Sequence, residues 1–163
     1  MRNKKDLEDG LAQFVQGEPL EGDNQYLCDQ CQKKVDSLKR SCLSEEIPNH
    51  LCFALRRFEF DFDTMQSVLV KDHYEIPNII DLKPFTREGL SEKSEEEKSS
   101  STRYRLNGAV VYSGGSPTTG FYSSLVKDRE DGETWYKMGL KGKEKFDFKD
   151  LPEEVFGGEG RYL

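Results

Sequence analysis

The apolar positions along the chain follow two different periods. Leu7, Leu11, Phe14 and Val15 stand at i, i+4, i+7 and i+8, which predicts one face of an amino-terminal helix of about three turns. Gly17 and Pro19 end it. Glu18 to Asp23 then read as a turn into Tyr26–Cys31, a stretch too short and polar for a buried strand, and a knuckle is predicted there. From Leu51 to Phe62 an apolar run becomes strict alternation, with Phe58, Phe60 and Phe62 set against Glu59 and Asp61. Period two with aromatic residues predicts a strand whose far end has one solvated face. Pro48, which lacks an N–H for a ladder, marks its entry.

Shorter strands are predicted at Ser67–Val70 and His73–Ile76, paired antiparallel because the connections are too short for helical crossovers. Tyr104, Leu106, Gly108, Val110 and Tyr112 alternate with Arg105 and Asn107, and Ser113 to Gly120 read as a long turn. A returning strand is predicted at Phe121–Val126, another at Trp135–Met138, and a closing turn or short helix at Leu151–Phe156. The fold class is therefore α+β and β-rich, built on antiparallel sheet. Arg87 to Arg103 join an acidic run to a serine run with almost no apolar residue, which predicts a disordered insert. The chain divides into a helix and knuckle at 4–48, strands at 49–86 and 104–158, and the insert at 87–103.

Composition narrows the function classes. A chain of 163 residues suits one domain, yet 34% hydrophobic and 34% charged residues imply a thin core for that length. Marginal stability and a tendency to associate are expected of strands that lack packing partners. Lys and Arg number 24 against 31 Asp and Glu, a formal net charge of -7. That balance disfavours nucleic acid and anionic membrane as partners. No apolar run reaches the roughly 20 residues that span a bilayer, and the acidic Asp6–Asp9 follow the start where a signal core would be apolar. A soluble intracellular protein, cytoplasmic or nuclear, is expected.

Candidate chemistry is sparse. Cys28 and Cys31 have the spacing by which two thiolates from one tight turn bind the same zinc, but a structural site needs four ligands. This is half a site. Vestigial or merely structural thiols remain the other reading of the pair. Cys42, Cys52, His50 and His73 are candidate completions, each with an ordinary packing or solvated reading beside it. Neither histidine sits in a glycine-rich turn beside a nucleophile, and Glu95–Glu97 read as a solvated linker. No catalytic residue is assigned.

The text LEGDNQYLCDQCQKKVDSLKR, IPNHLCFALRRFEFDF, YEIPNIIDLKPFT, YRLNGAVVYSGG, FYSSLVKDR, WYKM and VFGG, in that order, resembles the ubiquitin-specific proteases of peptidase family C19. The similarity is greatest to their large fat facets-like branch. The resemblance implies a catalytic domain of thumb, palm and zinc-bearing fingers that grips ubiquitin, with this chain matching the second half: fingers and palm, lacking the thumb and its cysteine nucleophile. Cys28 and Cys31 match the second finger knuckle, so zinc is implied only as a half-site. Where the family carries its histidine base, Gly120 or Phe121 stands here, and where its orienting Asp or Asn follows the tryptophan segment, Trp135-Tyr136-Lys137-Met138 runs into Gly139 and Leu140. Tyr112 replaces a further histidine.

The resemblance thus implies a truncated pseudoenzyme, a cysteine-type deubiquitinase by kinship that is inert as it stands. Arg57, Phe58, Tyr112 and Phe121 match the surface near the ubiquitin tail. For Phe58 and Phe121 plain core packing is the other reading, and for Arg57 an exposed strand charge. Ubiquitin or a ubiquitinated protein is the implied partner, with a complementary thumb-containing chain as a further one. The alternative is an interaction module for ubiquitin or such a half-domain, without chemistry.

Overall fold

Leu7, Leu11 and Val15 are buried along one face of a nine-residue helix, as their spacing requires. This is α1 (Leu7–Val15) of a computed structural model that describes residues 4–44, 46–91 and 102–157. After it come β1 (Glu18–Leu20), β2 (Tyr26–Cys28), β3 (Lys33–Val35), β4 (Ser37–Lys39), β5 (Phe58–Asp61), β6 (Gln66–Leu69) and β7 (Ile79–Asp81). The chain continues through α2 (Arg87–Leu90), β8 (Arg103–Arg105), β9 (Gly108–Ser116), β10 (Thr119–Lys127), β11 (Trp135–Gly139), β12 (Gly142–Phe146) and α3 (Leu151–Val155). The strand-rich α+β class is as expected.

The chain folds into two units, one from the segments 1–7, 51–79 and 105–163 and the other from 8–50 and 80–104. In the first, β9 to β12 form a four-stranded antiparallel sheet in the spatial order β12-β11-β10-β9. One sheet face carries Val111, Leu125 and Trp135, and α3 lays Leu151 and Val155 against them. Alternation along the strands puts every second residue on this face, so a thin apolar composition still closes one dry core. Lys137 Nζ reaches Glu154 Oε2 of α3 at 2.7 Å, tying helix to sheet beside that core. The hairpin β5–β6 completes the unit.

The second unit is held by shorter pieces. β1 pairs with β4, β2 with β3, and β7 with β8, each a two-stranded ladder of three-residue strands. Its buried side chains include Leu11, Val15, Ile80, Leu82 and Phe85. Thr86 caps α2 by accepting the Gly89 N–H at 3.1 Å while donating to Lys83 O at 2.8 Å. Gly89 has to be glycine, because a Cβ there would lie 1.9 Å from Lys83 O.

Several expectations need correction. Glu18–Leu20 form a strand instead of a turn, since Leu38 of β4 offers a partner that local turn chemistry does not reveal. Leu51–Arg57 and His73–Ile76 are not strands; Glu75 makes only an isolated bridge to Asp6. The long turn at Ser113–Gly120 shrinks to the residues Pro117 and Thr118, because β9 and β10 run on around it. The strand read from Tyr104 to Tyr112 breaks at Leu106 and Asn107. β12 was not foreseen. Of the residues read as insert, Arg87–Leu90 are helical and Arg103 begins a strand, while 92–101 lie outside the described residues.

Candidate functional site

β9 and β10 meet at a tight connection whose residues carry the candidate site. The register pairs Tyr122 with Tyr112, Phe121 with Ser113 and Gly120 with Gly114, with an irregularity between Thr119 and Gly120. Such a slip relaxes the ladder and lets the backbone bend. Tyr112 is buried, and its hydroxyl donates to Ser116 O. A Cβ built on Gly120 would stand 2.4 Å from that hydroxyl and 2.6 Å from Ser113 O. The tyrosine occupies the space that a side chain at position 120 would need.

Aromatic rings surround this point. Phe58 of β5 meets Tyr112 edge-on with centroids 5.2 Å apart, and the Tyr122 ring lies tilted 5.1 Å from Tyr112. Phe58 is 38% exposed and Phe121 48% exposed, so neither is the plain core residue that one reading allowed. The aromatic face of β5 is its more open one, with Phe58 and Phe60 exposed while Glu59 and Asp61 are half-buried. The alternation held, but its orientation is the reverse of the usual one. Phe58, Tyr112 and Tyr122 thus form one ring cluster, and Phe121 projects from the opposite face of β10.

Arg57 is placed elsewhere than either reading expected. It is 6% exposed, and its guanidinium donates to the carbonyls of Asp72, Val70 and Phe156. Burial pulls its pKa below the usual arginine value, opposed by the nearby Asp72 and Tyr74. Its charge is spent on backbone oxygens, with the Tyr74 ring 5.9 Å away. Gly157 completes the clamp: its φ of 79° is left-handed, and a Cβ there would approach Asp72 O to 2.9 Å. The glycine after Phe156 is therefore demanded by its left-handed φ and by the Asp72 carbonyl, with the Arg57 guanidinium close behind at 3.3 Å.

Gly139, at the end of β11, has a Cβ direction open toward Ser123, whose Cβ is 3.5 Å off. It holds no group that could orient a base. His73 is exposed and pairs with Glu75 at 3.4 Å. His50 and Cys52 are both exposed, which corrects the small buried positions expected for them.

Cys28 ends β2 and Cys31 lies in the turn that leads to β3. The Cys28 thiol is held below its ordinary pKa by the N–H groups of Cys31 and Gln30 and by the Cys31 thiol. Anion-favouring N–H groups around a sulfur suit a metal-bound thiolate. A closed tetrahedral zinc site needs two more donors, and among the described residues no three His, Cys, Asp or Glu side chains converge. The residues present do not by themselves fit such a site.

The family profile described as ubiquitin carboxyl-terminal hydrolase matches residues 19–140. The chain belongs to the ubiquitin carboxyl-terminal hydrolase family. It is 34% identical to ubiquitin carboxyl-terminal hydrolase 9X of Mus musculus over 98% of this chain and 7% of that protein. It is 33% identical to the probable ubiquitin carboxyl-terminal hydrolase FAF of Drosophila melanogaster over 98% of this chain and 6% of that protein. The chain thus spans less than a tenth of the length of these relatives. In structure it is similar to a chain of the SAGA Ubp8/Sgf11/Sus1/Sgf73 DUB module bound to ubiquitin aldehyde, with TM-score 0.76 and 23% identity over 96% of this chain and 33% of that one. That likeness supports the family fold. No helix among the described residues is long and apolar enough to cross a membrane.

Proposed function

We propose that this chain is a family domain tied to protein deubiquitination that engages ubiquitin without cleaving it. The observation that carries the reading is the Tyr112 hydroxyl standing where a side chain at Gly120 would go. A general base must lie within hydrogen-bond reach of the thiol it activates. Glycine supplies no base at 120, phenylalanine none at 121, and glycine no orienter at 139. A tyrosine with an ordinary pKa near about 10 does not take that role at neutral pH.

Phe58, backed by Tyr112, and Phe121, on the other face of β10, then offer exposed rings to a ubiquitin tail, while Arg57 braces the chain beside Phe58. Aromatic anchors of this kind supply large contact area at small entropy cost. Cys28 and Cys31 would hold zinc only with donors beyond the described residues.

Titrating isotopically labelled ubiquitin with the chain tests the binding half of the proposal. Shifts concentrated in the ubiquitin tail and weakened by Phe121→Ala are expected. An unchanged spectrum up to millimolar chain would remove the binding claim.

A further inference from the structure

The thiols of Cys28 and Cys31 form a side-chain pair of recognisable chemistry that the aromatic site does not use. Gln32 N–H donates to Cys28 O at 2.8 Å, and Gln32 has φ 54°, so the chain reverses over residues 28–32, a turn that includes both cysteines. A turn brings the Cα atoms of positions i and i+3 within about 7 Å, which overlaps the roughly 4.4–6.8 Å that a disulfide spans. The Cys31 thiol lies near enough to the Cys28 sulfur to help hold its pKa down. Cys31 is exposed and Cys28 half-buried. Neither β2 nor β3 contains a buried residue, so the turn can tighten without disturbing packed side chains. Cys42 and Cys52 have no such neighbour in sequence and serve as internal comparisons.

We propose that Cys28 and Cys31 are a modification site, a dithiol that closes to an intramolecular disulfide on exposure to hydrogen peroxide. It does not rest on the ubiquitin reading. The Cys28 sulfur attacks one peroxide oxygen and the O–O bond breaks, giving a sulfenic acid and a hydroxide that takes up the thiol proton as water. The Cys31 sulfur then attacks the Cys28 sulfur. The S–O bond breaks, the second oxygen leaves as water with the Cys31 proton, and the S–S bond forms. Two thiols lose two electrons in all, and one peroxide becomes two waters.

The test treats the fully reduced chain with equimolar hydrogen peroxide, alkylates the remaining thiols and maps the peptides by mass. The peptide holding Cys28 and Cys31 should escape alkylation, weigh two hydrogen atoms less, and regain both thiols with dithiothreitol. In Cys31→Ser the Cys28 sulfenic acid should persist and be trapped by dimedone, whereas the unsubstituted chain traps little. Oxidation confined to Cys42 or Cys52 would overturn the proposal. So would equal dimedone trapping in both chains, or a Cys28 sulfinic acid formed without closure.

Discussion

The four-stranded sheet and the finger hairpins solve the same problem with different means. In the sheet, strands of five to nine residues bury Val111, Leu125 and Trp135 against α3, and apolar burial holds them in register. In β1–β4, strands of three residues leave Tyr26, Leu27 and Leu38 exposed and bury nothing within the hairpins themselves. Isolated two-stranded hairpins are marginal in water. The difference teaches where stability resides: side-chain packing carries the sheet, while turn chemistry carries the hairpins.

The largest expected effect lies in the sheet. Leu125→Ala removes a fully buried side chain from the centre of the core, and a loss of about 2–5 kcal/mol is expected from transfer and cavity costs together. Leu27→Ala, on an exposed hairpin position, should change stability by no more than about 0.5 kcal/mol. Denaturant unfolding followed by the fluorescence of Trp135 reads both. Equal effects would break the comparison.

Arg57→Met sharpens it next. Removing the guanidinium leaves carbonyls of Val70, Asp72 and Phe156 without their charged donor, and a cost of about 2–3 kcal/mol is expected. The same unfolding curves measure it, and a neutral result would show that water replaces the arginine readily. At the β9–β10 connection, Gly120→Ala should cost about 1–3 kcal/mol through overpacking against Tyr112. Gly115→Ala has open space at its Cβ and should be close to neutral.

How much of this was legible in the text follows from range. The helix at Leu7–Val15 and the strands at Phe121–Val126 and Trp135–Met138 were readable because their period is local. β1 and the inward turn of Arg57 were not, because each depends on a partner distant in sequence: Lys39 for Glu18 and Phe156 for Arg57. β12 follows β11 across a tight hairpin, but Gly142–Phe146 are mostly exposed and polar and carry no apolar alternation to read. The Arg57 and Phe156-Gly157 segments that carried the family resemblance proved to be one structural clamp. At the candidate site, the glycine and phenylalanine at 120 and 121, where the resemblance implies a base, are visible in the text. The tyrosine that fills the gap was seen as a substitution but not as the filler, since only the cross-strand register brings its hydroxyl over Gly120.

The smallest effect concerns the β10–β11 loop. Asp131 accepts from Thr134 Oγ1 and from the N–H groups of Glu133 and Thr134, which lowers its pKa from 3.8 to about 2. A depressed carboxyl favours the folded loop above its ordinary value, and that contribution disappears as pH falls through the folded value. Carboxyl NMR should find Asp131 titrating near about 2, and Thr134→Val should move it back toward the ordinary carboxylate range. Titration at the ordinary value in the unsubstituted chain would show the loop to be open in solution.

Incubating the chain with ubiquitin that carries a fluorogenic amide at its carboxyl terminus tests the central claim most directly. The account predicts that fluorescence stays at the buffer rate however much chain is added, because positions 120, 121 and 139 supply neither base nor orienter. Steady release that rises with chain concentration and is abolished by alkylating its cysteines would contradict it.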